Sequence, residues 1–184
     1  MKYFFDTEFI EKPQKIDLIS IGIVAEDGRE LYLINRDCRT YEADDWVKEN
    51  VLSKMPEYKS DINLGFYRDA SIELIPNHVL TKEQIKNKIL EFIGADNNPE
   101  FWAYYADCDW VVICWLFGRM IDLPKHFPYY CKDLQQEIDE GEINKDELLE
   151  DVPQNNIHNA LDDARWVRNA YEYLSGVEIE WHDV

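Results

Sequence analysis

Positive charge is what this 184-residue chain lacks: 19 Lys and Arg stand against 38 Asp and Glu, a formal net charge of −19 at pH 7. A pI near 4.4 excludes the usual grip on long nucleic acid, in which a basic face displaces counterions from the phosphate backbone. It leaves room for an enzyme that takes a single chain end, where bound cations meet the scissile phosphate instead of Lys and Arg. Long apolar runs are missing too. The longest, residues 110 to 117, falls well short of the ~20 residues a membrane span needs. No charged segment followed by a signal-type apolar stretch opens the chain, so the sequence predicts a soluble, cytoplasmic protein with no membrane partner. Cys38, Cys108, Cys114 and Cys131 form no Cys-x-x-Cys pair and no zinc-site spacing, and read as buried reduced thiols. Internal repeats and low-complexity tracts are absent as well.

What is present fits one domain over residues 1 to 184. The chain is 46% hydrophobic and 14% aromatic, enough for one substantial core and too short for two comfortable ones. Residues 2 to 10 read as a core strand. Residues 16 to 26 and 30 to 36, joined by Asp27-Gly28, read as a hairpin, so three antiparallel strands open the fold. Residues 44 to 52 suit a short helix with Trp46, Val47 and Val51 inward, and residues 53 to 80 are mostly irregular. Thr81-Lys82-Glu83-Gln84 is a capping-box pattern, after which Ile85, Ile89, Phe92 and Ile93 keep helical spacing until Gly94. Residues 101 to 105 read as a buried strand, 107 to 117 as an apolar helix closed near Gly118, and 128 to 131 as a further strand. After a polar helical region, Ala160, Ala164, Val167, Tyr171 and Leu174 mark the stripe of a last helix. The sum is an α/β sandwich around a mixed sheet. The acidic run from Asp133 to Asp151 reads as solvated surface, and Trp102, Tyr104, Trp110 and Trp115 as core packing.

Against this background two short motifs stand out. Asp6 and Glu8 in Phe5-Asp6-Thr7-Glu8-Phe9 are two apart on a strand and so share a face. Two anions side by side on an apolar strand raise each other's pKa and lose hydration on burial; divalent cations remove that conflict. An edge strand with a polar face carries the same pattern, so the motif alone is weak. The second lies near the other end, in His158-Asn159-Ala160-Leu161-Asp162-Asp163. A helix beginning at Asn159 puts Asp163 just over one turn in, facing whatever Ala160 packs against, and a small residue there lets helix and sheet approach. His158 and Asp163 are about 140° apart on an ideal helix, so both address one site only if His158 lies at the irregular start. Such a histidine suits a water-activating base. A surface histidine and a helix-surface acid are the ordinary alternatives. Together the motifs point to one metal site and to phosphodiester hydrolysis.

Asp-x-Glu near the N-terminus, an Asp on a mid-chain helix and His-x-Ala-x-x-Asp near the C-terminus, in that order, resemble the histidine subclass of the DEDD 3′-to-5′ exonucleases (DEDDh), which has a ribonuclease H-like fold. Residues 3 to 10 (Tyr-Phe-Phe-Asp-Thr-Glu-Phe-Ile), Leu18-Ile19-Ser20-Ile21-Gly22, Ala25-Glu26-Asp27-Gly28-Arg29-Glu30, Trp46-Val47-Lys48 and Val51-Leu52-Ser53-Lys54-Met55-Pro56 resemble the RNase AS group, polyadenylate-preferring exoribonucleases related to RNase T. The resemblance runs over most of the chain. Tyr105-Ala106-Asp107-Cys108-Asp109-Trp110 offers two candidates for the middle acid. Matching from Trp102-Ala103 onward selects Asp109 and leaves Asp107 as a helix cap. Many relatives carry Asn where Tyr105 stands; the RNase AS group also lacks it.

The resemblance implies two-metal hydrolysis, with two Mg²⁺ or Mn²⁺ ions held by Asp6, Glu8, Asp109 and Asp163, Asp6 between them, and His158 taking the proton. Oxygen ligands suit such hard cations and disfavour zinc. Thr7 and Phe9 flank the acids and are candidates for meeting the terminal nucleotide, or are plain core strand residues. The leading reading is an exoribonuclease that releases nucleoside 5′-monophosphates from single-stranded RNA 3′ ends, adenine-rich ones by resemblance, and is a homodimer like RNase T-type enzymes. The same chemistry on single-stranded DNA, and a fold that only binds nucleotides or RNA ends, stay open.

Overall fold

Tyr3, Phe4 and Phe5 point alternately to opposite faces of the first strand and are all buried, so this strand is covered on both sides and cannot be an edge. The computed structural model describes residues 1–55 and 76–176. Strands β1 (Lys2–Lys12), β2 (Lys15–Ala25) and β3 (Glu30–Asn35) form the expected antiparallel meander. Two-residue β4 (Val79–Leu80) adds parallel to β3. On the other side β5 (Glu100–Ala103) pairs parallel with β1, and β6 (Lys132–Asp133) with β5. The sheet order is β4-β3-β2-β1-β5-β6.

Six helices among the described residues flank this sheet: α1 (Asp45–Asn50), α2 (Lys82–Ile93), α3 (Asp107–Phe117), α4 (Leu134–Glu140), α5 (Lys145–Asp151) and α6 (Ala160–Leu174). Tyr3, Phe5, Ile21 and Ile23 pack against Ile85, Ile89 and Ile93 of α2 and Ile113 of α3. Phe4 and Trp102, on the opposite face, pack against Trp166, Val167 and Ala170 of α6 and Ile138 of α4. A smaller cluster joins Ile10, Ile19 and Ile34 to Val47 and Val51 beside α1. Helix α2 has the full capping box, Thr81 with Gln84, and stops at Gly94, whose φ of +63° favours glycine.

Four expectations change. Trp46 does not face inward: it is 53% exposed, because α1 is short and buries only Val47. Trp115 is likewise exposed rather than core. Residues 128 to 131 are not a strand; pairing with β5 begins at Lys132, and Tyr129 and Tyr130 are exposed. Asp107 is the first residue of α3 and caps nothing, since Ala106 holds the cap position without a side-chain bond. The irregular stretch expected over residues 53 to 80 lies mostly outside the described residues. All four cysteines are free thiols, though Cys108 and Cys131 are only partly buried. Among the described residues no helix is long and apolar enough to cross a membrane.

Candidate active site

The period-two alternation of β1 puts Asp6 and Glu8 on the face of Phe4, the face that α6 covers. Across the ladder, Asp6 pairs with Gly22 and Glu8 with Ser20, and the register shifts just after Glu8. Gly22 matters because the start of α6 crosses directly over it. A Cβ there would lie 2.3 Å from the Ala160 carbonyl oxygen and 2.4 Å from the Leu161 Cα. The small residue at Ala160, fully buried, thus does what its sequence position suggested, and its counterpart on the sheet is a glycine.

This approach carries Asp163 to the β1 acids. Asn159 caps α6, its side-chain oxygen accepting from the N–H groups of Leu161 and Asp162 at 3.2 and 3.3 Å. One turn later Asp163, buried, accepts from the Gln154 side-chain amide at 2.7 Å and from the His158 backbone N–H at 2.8 Å. His158 adopts φ +69°, a left-handed conformation a non-glycine residue keeps only where its surroundings fix it. The bond to Asp163 is one such constraint. This turn resolves the angular conflict of a five-residue spacing: the imidazole comes round to place Nδ1 4.0 Å from Glu8 Oε1. One donor atom from each of Glu8, His158 and Asp163 lies within 4.8 Å of the others. Trp46 presses edge-on to the imidazole, ring centroids 4.9 Å apart at 79°.

Asp109, not Asp107, is the acid that α3 delivers. It is buried, and its Oδ1 accepts from the Thr7 backbone N–H at 2.9 Å and also from the Thr7 hydroxyl. Thr7 faces away from Asp6 and Glu8 and fixes the third acid relative to their strand. Asp107 is exposed. The turn from β5 into α3 is held from elsewhere: Asp133 accepts from the N–H groups of Tyr105 and Ala106 at 3.0 and 3.1 Å, and of Gln135 at 2.9 Å. The acidic run therefore contains one structural clamp amid solvated surface.

The seven residues singled out in the sequence, Asp6, Thr7, Glu8, Phe9, Asp109, His158 and Asp163, all border one cavity of about 460 Å³. Sequence reasoning missed Trp46, Tyr105 and Gln154, which border it too. A tryptophan in a short helix with one buried position is a usable signal for the first; a lone Gln in a loop offers none.

Electrostatics set this cavity apart. Burial, then Asp109, Glu8 and Asp163, raises the pKa of Asp6 well above the usual carboxylate range. Glu8 is pushed up to about 8 by burial and by Asp163 and Asp109, against a lowering influence of Lys54. Burial raises Asp109 to about 6 although the Thr7 bonds oppose it. Asp163 rises for the same first reason, opposed by Gln154 and His158. Burial lowers His158, so its neutral form is favoured. Four carboxylates so placed resist ionising together near neutral pH unless a cation sits among them. The donor set is oxygen-rich with one imidazole and no thiolate, which fits hard divalent cations. It also suits hydrolysis, because a neutral imidazole beside a cation-binding acid cluster can accept a proton from water.

Comparison with known proteins agrees. The profile of the family described as "3'-5' exoribonuclease Rv2179c-like domain" matches residues 1–175. Two curated relatives from Mycobacterium tuberculosis, the 3'-5' exoribonuclease Rv2179c of strain H37Rv and the 3'-5' exoribonuclease MT2234.1 of strain CDC 1551, are each 35% identical over 169 residues, covering 90% of this chain and 88% of theirs.

Proposed function

The chain belongs to the Rv2179c-like family of 3′-5′ exoribonucleases, and on that premise we propose that it hydrolyses the 3′-terminal phosphodiester of single-stranded, adenine-rich RNA, releasing nucleoside 5′-monophosphates. Membership makes it an RNA-directed, metal-dependent hydrolase; the ions, the roles of residues and the base preference are our inference. Asp6, Glu8, Asp109 and Asp163 are the ligands we assign to two Mg²⁺ or Mn²⁺ ions. Such ions supply charge that offsets the attacking and leaving oxygens of an in-line displacement.

The remaining steps belong to the side chains. Thr7 holds Asp109 in place through two bonds, and Gln154 and the His158 N–H hold both oxygens of Asp163, so the acids are oriented before substrate arrives. His158, neutral near pH 7 and beside Glu8, accepts the proton of the attacking water as the new P–O bond forms. The P–O3′ bond then breaks, the 3′ oxygen of the shortened chain takes up a proton, and the monophosphate leaves. Phe9, half-buried at the cavity, is assigned to the terminal nucleotide. Thr7 is buried with its hydroxyl turned to Asp109, which leaves it a backbone contact at most.

The observation that carries this reading is the gathering of Asp6, Glu8, Asp109 and Asp163 around one cavity, with Glu8 and Asp163 brought within reach of the His158 imidazole. We further infer one domain, since both ends of the chain supply the cluster. A homodimer is supported by the family resemblance and by exposed Trp115, Met120 and Ile121; four free thiols support a reducing, cytoplasmic setting. The test incubates the protein with Mg²⁺ or Mn²⁺ and 5′-labelled oligo(A), oligo(U) and oligo(dA). A ladder on RNA, fastest on oligo(A), abolished by chelation and by Asp6→Ala or Asp163→Ala, is the expected result. Equal ladders on oligo(dA) would make it a general exonuclease, and retention without shortening a binding protein.

A further inference from the structure

Tyr105, two residues past the end of β5, has φ +54° and is 61% exposed, although it borders the same cavity as the acids. A bulky residue in the left-handed region is strained and persists only where neighbours over-determine it. Here they do. The Asp133 carboxylate takes the Tyr105 N–H on one oxygen and the Ala106 N–H on the other, and the same Asp133 caps α4. The ring is braced as well. It meets Tyr104 at a tilt, centroids 4.5 Å apart and planes at 54°, and Tyr104 rests edge-on against Trp166 of α6 at 5.0 Å. Lys145 Nζ stands 4.9 Å from the Tyr104 ring centre and 6.0 Å from that of Tyr105.

That lysine is oddly placed for a structural residue. It opens α5, where the helix dipole disfavours a cation, and it makes no ion pair among the described residues in a chain of net charge −19. A rigid, outward aromatic ring with an ammonium beside it, at the mouth of a phosphodiester-cleaving cavity, matches a π-face followed by a phosphate. Base-on-ring stacking with a nearby cation is how single-stranded nucleic acid is held without reading its sequence.

We propose that Tyr105, braced by Tyr104 and accompanied by Lys145, is the stacking platform for a nucleobase upstream of the 3′-terminal nucleotide. The proposal rests on the exoribonuclease reading and deepens it: the enzyme would grip RNA by a base outside the chemical step, and oligomers long enough to reach Tyr105 would be its preferred substrates.

The test uses 5′-fluorescein oligo(A) carrying a single abasic ribose, stepped inward from the second nucleotide. KM and kcat are read with Mg²⁺, and Kd by anisotropy with Ca²⁺ in its place. For the wild type, one abasic position should raise KM and Kd about 5-fold or more. Tyr105→Ala should raise both by a similar factor on intact oligo(A), leave kcat nearly unchanged, and show no further penalty at that position. Tyr105→Phe should behave like wild type. Tyr105→Asn, which tolerates the backbone conformation, should reproduce the alanine loss if the ring is what matters, and Lys145→Gln should flatten the salt dependence of Kd by a log–log slope of about 0.7. Wild-type KM and Kd in Tyr105→Ala, or an undiminished abasic penalty, would overturn the platform. A wild type that binds RNA but never shortens it would instead defeat the exoribonuclease reading, while the Kd comparison still decides on Tyr105.

Discussion

The carbonyl oxygen of Ala160 occupies the space beside Gly22 where any other residue would carry its Cβ, only 2.3 Å from that position. The obstacle is backbone, so it cannot swing aside as a side chain would. Gly22→Ala should therefore push α6 off the sheet, lower the melting temperature by an amount equivalent to about 1–3 kcal/mol, and move Asp163 from Glu8 so that RNA hydrolysis is lost. Thermal unfolding and an oligo(A) assay check both; a variant with wild-type melting and turnover would show that this crossing does not position the site.

Removing charge from the cluster should split stability from activity. Glu8→Gln keeps the shape of the side chain but removes a charge that burial, and then Asp163 and Asp109, disfavour. Metal-free, the variant should be more stable than wild type at pH 8 by about 1–3 kcal/mol, and it should not cleave RNA. Chemical denaturation in chelator and the ladder assay measure the two effects. A destabilised Glu8→Gln would contradict the cost of holding that charge in the cluster.

The same burial and repulsion give a pH dependence of definite sign. Glu8 titrates near 4.5 when unfolded and at about 8 when folded, so over that interval the native state holds more protons. The stability associated with its neutral form is complete below about pH 4.5 and is lost as pH rises through about 8. Asp109, raised to about 6, contributes with the same sign over a lower window. His158 opposes them below its usual 6.5 because burial disfavours its charged form. The cleanest fall of metal-free stability should thus lie between pH 6.5 and 8, and saturating Mn²⁺ should remove it. Denaturation midpoints across that interval, with and without Mn²⁺, test the claim; rising stability in chelator would refute it.

The choice of middle acid has its own test. Asp109→Asn should abolish hydrolysis, Asp107→Ala should leave turnover and stability near wild type because that side chain is exposed and caps nothing, and Thr7→Val should lose about 1 kcal/mol with its hydroxyl bond to Asp109. Activity retained in Asp109→Asn but lost in Asp107→Ala would reverse the assignment.

Trp46 meets His158 edge-on. Trp46→Ala should lower kcat roughly 10-fold through a less constrained imidazole, shift the pH–rate profile that reports this base, and leave folding intact since the indole is exposed. Recovery of both by Trp46→Phe would tie the effect to the ring; an unmoved pH profile would make Trp46 a mere neighbour.

Much of this architecture is legible in the sequence because periodicity records burial. The alternation around Asp6 and Glu8, the capping box at Thr81 and the Ala160 to Leu174 stripe each report on a face that the folded chain covers. Asp6 and Glu8 follow, since paired carboxylates within an apolar strand demand an explanation, whereas Asp109 is singled out from Asp107 only by the family resemblance. What escapes are contacts made across the fold by residues with no local pattern. Gln154 on Asp163 and Asp133 on the Tyr105 turn are such cases. Trp46 and Trp115 mislead because a large apolar side chain looks like core wherever it stands. Asp107 has the composition of a cap, but Asp133 already satisfies the N–H groups of the preceding turn.

The proposed ion-binding and proton-accepting groups come from β1, α3, the turn before α6 and α6 itself. A polypeptide still emerging from the ribosome, or clipped anywhere ahead of His158, carries at most Asp6, Glu8 and Asp109. On the proposed assignment, synthesis order would thereby act as a safety catch, because the catalytic set is incomplete until α6 docks.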